Sequence, residues 1–235
     1  MDIEHFFLPG DGCRVPSILI KPVEPRGAAV IVHGYGGNKE EQLGLGLQAA
    51  EAGLVACVID LRGHGEHSLP LDRDIGADLD AAIRYCRLFG KVVAIGHSFG
   101  GHLALLSNAD YRIAISPSIK RPLSELTQKA LKKRCSYRVR PSDFEVVRII
   151  HEGLPTWDPS KDNGNTIILF AEWDLPEVSS GCNELKNEGV QVVQIPKSTH
   201  NNIFLVEQTF EGGSMCSWTS SPCVLGMYRA AMSTA

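Results

Sequence analysis

Apolar residues fall in short unbroken runs: AAVIV from Ala28, LVACVI from Leu54, VVAI from Val92, IAI from Ile113 and TIILFA from Thr166. Runs of strand length without polar alternation suit strands covered on both faces. Between them the period changes to that of a helix. Glu40 to Ala52 places Leu43, Leu47 and Ala50 at helical spacing and closes on Gly53, and Asp74 to Leu88 places Ile75, Leu79, Ala82 and Ile83 on one face. HLALLSNA, from His102, continues the third of these runs as an apolar helix. Two opening runs, Ile3 to Leu8 and Val15 to Lys21, flank PGDGC, whose Asp-Gly step suits a hairpin, and VQVVQIPKSTH supplies a last strand. The pattern predicts an α/β fold of eight strands, mostly parallel, with helices on both faces.

From Ser118 to Asn165 the strand pattern stops. The basic stretch SELTQKALKKRCSYRVR and the helical SDFEVVRIIHEG predict a small lid or helical insertion over one end of the sheet. No repeat or low-complexity linker divides the chain, so residues 1–235 are read as one domain. VLGMYRAAMS predicts a last helix after the polar stretch FEGGSMCSWTSSPC, where Trp218 is either packing or a site wall.

Composition narrows the functional classes. A net charge of −4 supplies no global attraction to nucleic acid or to an anionic membrane, and neither is expected as a partner. Seven cysteines, an odd number, lie in segments such as LVACVID, as small buried hydrophobes do, which favours a reducing compartment. MDIEHFFLPGDG lacks a basic n-region and a long apolar core, and no run approaches the roughly 20 residues that span a bilayer. A cytoplasmic protein with no stable membrane insertion is expected.

The candidate chemistry centres on GHSFGG. Gly96, Ser98 and Gly100 have the spacing of a G-x-S-x-G turn, in which glycines let a strand turn sharply into a helix and expose the serine oxygen. The pattern alone is weak; its setting, after the run VVAI and before a helical stretch, is the required one. The competing reading is a tight βα turn whose serine caps the helix.

A serine nucleophile needs a base and a carboxylate that orients it. Asp174 follows TIILFAEW and His200 follows VQVVQIPKST, so parallel strands would deliver both to the edge of the sheet where Ser98 emerges. Glu172 is the weaker alternative acid. His97, His102, His151 and His5 are read as a neighbour, a packing residue, part of the insertion and part of the first strand. HGYGG can supply the backbone N–H of Tyr35, and Phe99 a second N–H, to the oxyanion formed when the serine attacks a carbonyl. A phosphate loop is disfavoured because HGYGG has no lysine-serine ending. DLRGHGEHS, with His64 and His67 three apart in a glycine-containing loop, is read as a structural loop and not a metal site.

HGYGG, DLRGHGEHS, GHSFGG, Asp174 and His200, in that order, resemble the landmarks of the α/β-hydrolase family over nearly the whole chain. The D-x-R-G-H-G segment beside G-H-S-x-G is most similar to the branch of serine aminopeptidase-like and monoacylglycerol-lipase-like enzymes and small carboxylesterases. The resemblance implies an α/β-hydrolase fold, Ser98 as nucleophile, His200 as base, Asp174 as orienting acid, and the Tyr35 and Phe99 amides as oxyanion hole. It implies hydrolysis of a small-molecule ester or acyl substrate with no cofactor and no metal. A peptidase, a thioesterase and a catalytically silent binding protein of the same fold are the alternatives.

Overall fold

A computed structural model describes residues 1–205 apart from 121, 122 and 142. The expected last helix and Trp218 lie outside the described residues. The sheet has the expected eight strands: β1 (Asp2–Pro9), β2 (Arg14–Lys21), β3 (Ala28–Val32), β4 (Val55–Ile59), β5 (Val92–His97), β6 (Tyr111–Ile115), β7 (Thr166–Trp173) and β8 (Val192–Thr199), in spatial order 1-2-4-3-5-6-7-8. PGDGC closes an antiparallel hairpin in which Pro9 pairs with Arg14. β2 meets β4 antiparallel, and every later pairing is parallel.

The unbroken apolar runs have a direct physical cause. Side chains alternate between faces, so Val30 and Val32 of β3 pack with Leu79 and Ile83 of α2 (Gly76–Cys86) and with Phe99 and Leu103 of α3 (Phe99–Leu106). Ala29 and Ile31 pack on the opposite face with Leu45 and Ala49 of α1 (Leu43–Glu51). Burying each large aliphatic side chain contributes about 1.5–3 kcal/mol. The edge strands are less buried: β1 is largely open, and β8 shows solvent Gln194, Pro196 and Lys197. Each is paired on one side only.

The first two predicted helices are shorter than their periodic patterns. The ends at Glu40–Gln42 and Arg87–Phe89 tighten into 3₁₀ turns, as frequently happens at helix ends. The segment between β6 and β7 holds α4 (Glu125–Arg138), capped by Ser124, and α5 (Phe144–Gly153), capped by Asp143. Phe144, Val147 and Ile150 of α5 join the main core, so α5 is anchored. α6 (Pro176–Asn187) then covers β7 through Val178 and Cys182.

Candidate active site

The strand-to-helix turn at Ser98 is held by contact between backbones. A side chain on Gly96 would collide with Gly100, and one on Gly100 would meet the carbonyl oxygen of His33 at 2.4 Å. Ser98 takes φ 54°, ψ −113°, a conformation that side-chain-bearing residues rarely adopt. It stands at the N-cap of α3, yet its hydroxyl makes no capping hydrogen bond. The Oγ lies instead 3.0 Å from Nε2 of His200. The capping alternative is therefore not what the side chain does.

His200 Nδ1 is 2.6 Å from Oδ1 of Asp174. The carboxylate can only accept, so Nδ1 carries the hydrogen and Nε2 is left to accept from the Ser98 hydroxyl. Asp174 is itself surrounded by donors: Leu175 N–H on Oδ1 at 2.8 Å, and Ala171 N–H at 2.9 Å and the Ser116 hydroxyl at 2.5 Å on Oδ2. Burial pushes its pKa up, but the hydrogen bonds from His200, Ser116 and Ala171 outweigh burial and hold the carboxyl below the usual aspartate value. The rival acid Glu172 is exposed and accepts from the backbone N–H of Lys197.

The HGYGG loop is fixed from beneath. His33 is fully buried; its Nδ1–H donates to the Gly34 carbonyl at 2.8 Å and its Nε2 accepts the Leu61 N–H at 3.2 Å. Lys39, also fully buried, donates its backbone N–H to Oδ1 of Asp60 and its ammonium to Oδ2, each at 2.8 Å. These bonds tie the loop after β3 to the loop after β4. Tyr35 is buried beside Ser98, and the N–H of Phe99 is the first of α3, with no acceptor inside the helix.

A family model described as the alpha/beta hydrolase family matches residues 29–180. The chain belongs to the alpha/beta hydrolase family. Solved structures similar to this alpha/beta hydrolase include a carboxylesterase of Nitrososphaera gargenis, at 16% identity and TM-score 0.70, over 98% of this chain and 100% of that one. An esterase of Pyrobaculum calidifontis is 19% identical with TM-score 0.64, over 100% of this chain and 87% of that one. Est1E from Butyrivibrio proteoclasticus is 14% identical with TM-score 0.66, over 98% and 99%. No curated protein matches the chain by sequence.

In this alpha/beta hydrolase several site residues escaped the sequence reading. His97, expected only as a neighbour of Ser98, donates Nε2–H to the His200 carbonyl at 2.7 Å and so steadies the loop that carries the base. Ser116 has no motif of its own; the signal was its place just after a strand end. His151, read only as part of the insertion, is buried with Nε2 at 2.8 Å from Ser118 Oγ and 3.1 Å from the Ser118 carbonyl. His102 packs as expected, with its Nε2–H on the Pro155 carbonyl. Ser98, Ser118, His151 and His200 share a cavity of about 150 Å³ that α4 and α5 help to wall.

DLRGHGEHS has an occupation of its own. Arg62, nearly fully buried, bonds Asp78 through its backbone N–H, Nε and Nη2. Cys13, His67 and Asp78 come within 4.8 Å of one another, a third ligand type that the sequence spacing did not reveal. His67 Nδ1 accepts the Leu69 N–H, so Nε2 bears the hydrogen and faces Oδ1 of Asp78 at 3.4 Å. A neutral imidazole in that tautomer has no lone pair to offer a metal there.

Proposed function

We propose that this chain is a serine hydrolase that cleaves carboxylic esters of small molecules through an acyl-enzyme. The observation that carries the reading is the run of contacts from Ser98 Oγ to His200 Nε2 at 3.0 Å and from His200 Nδ1 to Asp174 at 2.6 Å. His200 takes the proton of Ser98 as the oxygen attacks the ester carbonyl. The oxyanion receives hydrogen bonds from the N–H groups of Tyr35 and Phe99. Protonated His200 then gives its proton to the leaving alcohol. Water, activated by the same imidazole, releases the acid and restores Ser98. No step calls for a metal or organic cofactor.

The segment 118–165 acts as a small lid in this reading. Leu123, Leu126 and Leu131 of the α4 region and Val147 of α5 give the cavity an apolar wall suited to an acyl or alkyl chain. Two of the structurally similar proteins, those of Pyrobaculum calidifontis and Nitrososphaera gargenis, are named as an esterase and a carboxylesterase, which agrees with ester cleavage.

Fluorophosphonate labelling tests the assignment. Wild type labels, and Ser98→Ala loses both the label and at least about 10³-fold in ester turnover. Equal labelling of the two proteins, or none in either, would overturn it.

A further inference from the structure

One carboxylate stands in the wall of the Ser98 cavity, among apolar side chains, hydroxyls and histidines. Glu177, in the first turn of α6 and three residues beyond Asp174, is the one acidic side chain among the described residues lining the cavity, and no described lysine or arginine lines it. Its Oε1 accepts the N–H and the hydroxyl of Ser124, at 3.3 and 3.1 Å, where α4 begins. Its Oε2 is buried, and no hydrogen bond of normal geometry reaches it. Among the described residues no lysine, arginine or histidine lies within ion-pair distance of Glu177.

Burial pushes the Glu177 carboxyl upward, but the Thr127 hydroxyl, its own backbone N–H and Ser124 overcome this and hold it below the ordinary glutamate value. It is ionised at neutral pH. A strut joining α4 to α6 needs only one acceptor oxygen, which a glutamine would supply without the cost of desolvating a charge. The charge is more than that strut requires, and it stands in the wall of the cavity. A partly buried anion with no cation paired to it among the described residues attracts a cation more strongly than one in open water.

We propose that Glu177 is a specificity-determining residue that holds an ammonium group of the substrate, so that the preferred esters are cationic. The proposal rests on the ester-hydrolase reading of Ser98 and names the substrate class for that site. The ammonium belongs to either the acyl or the alcohol half of the ester, and the two halves are tested separately.

On the alcohol side, acetylcholine is compared with 3,3-dimethylbutyl acetate, its neutral isostere. On the acyl side, a p-nitrophenyl ester ending in trimethylammonium is compared with one ending in tert-butyl and one ending in carboxylate. Wild type is expected to favour the ammonium ester over its isostere by about tenfold or more in kcat/KM in at least one arm, and to disfavour the carboxylate. In Glu177→Gln the ratio falls to within about threefold, whatever change the two rates share.

A wild-type ratio near one in both arms overturns the proposal. So does a ratio that survives in Glu177→Gln, or an equal loss on every ester, which would leave Glu177 as a strut only. The wild-type ratio needs no variant, so a Glu177→Gln protein that does not fold leaves the test standing. Fluorophosphonate labelling separates the two levels: failure of Ser98 to label sinks the ester-hydrolase reading itself, whereas labelling without cation preference, or without turnover of any ester in the panel, sinks only the role of Glu177.

Discussion

A Cβ built on Gly96 would lie 2.1 Å from the carbonyl oxygen of Gly100. Gly96 is required because β5 and the start of α3 touch through bare backbone, and Gly100 because a Cβ there would meet the carbonyl oxygens of Val32 and His33 at the end of β3. Gly96→Ala must therefore push α3 away and carry Ser98 Oγ from His200. Overpacking of this kind costs typically about 1–3 kcal/mol, and contact with backbone puts this site at the upper end. The expected result is a thermal midpoint lower by roughly 5–10 °C and ester turnover lower by at least about a hundredfold. Unchanged turnover in a thermal and kinetic comparison with wild type would show that the turn is not so constrained.

Two buried histidines make the fold acid-sensitive. Burial pushes His33 down to about 4 and His64, which also feels His33, down to about 3, and their rings lie 4.9 Å apart. Both are neutral when folded, while in the unfolded chain they protonate near pH 6.5. The unfolded state thus binds more protons below pH 6.5, and stability is lost as pH falls from about 6.5 towards 4. Urea melts at pH 7, 5.5 and 4.5 should show a falling midpoint, with a shallower slope in His64→Gln. A midpoint flat over that range would contradict the buried neutral pair.

Asp174 and Ser116 should separate by size of effect. Asp174→Asn leaves an amide oxygen held by Ala171 and Ser116 and turns an NH2 donor to His200 Nδ1, which imposes the wrong tautomer, so turnover should drop by about 10³–10⁴-fold in a folded protein. Ser116→Ala removes one of four donors and should cost about tenfold. It also brings the Asp174 pKa back towards the ordinary value. Because a depressed carboxylate stabilises the fold above its unfolded pKa and loses that contribution as pH falls through the folded one, Ser116→Ala should be less stable than wild type at pH 7 and closer to it below pH 4. Denaturant titrations at pH 7 and 3.5 measure that difference.

The architecture was readable because strand and helix periods are local properties of the chain. β3, β4 and β5 are apolar along their whole length since each residue faces one or the other covering layer, and a pattern of that kind needs no tertiary knowledge. The order of parallel strands then forces residues just after strand ends onto one edge. Ser98, Asp174 and His200 were placed together by that rule, and the structure brings their side chains into contact.

What stayed hidden depends on long-range neighbours that have no period. Ser116 meets Asp174 across 58 residues, His97 meets the His200 carbonyl across 103, and Ser118 meets His151 across 33. Cys13 joins His67 and Asp78 only because the first hairpin returns to the α2 side of the sheet. Glu177 carries no signal in the sequence, and only the approach of α4 to α6 places it in the cavity wall with Ser124 bonded to its carboxylate. The sequence by itself determined the strands, the sharp turn at Ser98 and the edge on which the chemistry gathers, because backbone sterics and hydrophobic periodicity are written residue by residue. Only the tertiary structure decided which polar groups are buried and what each one faces, since hydrogen-bond partners and desolvation are set by segments far apart in the chain.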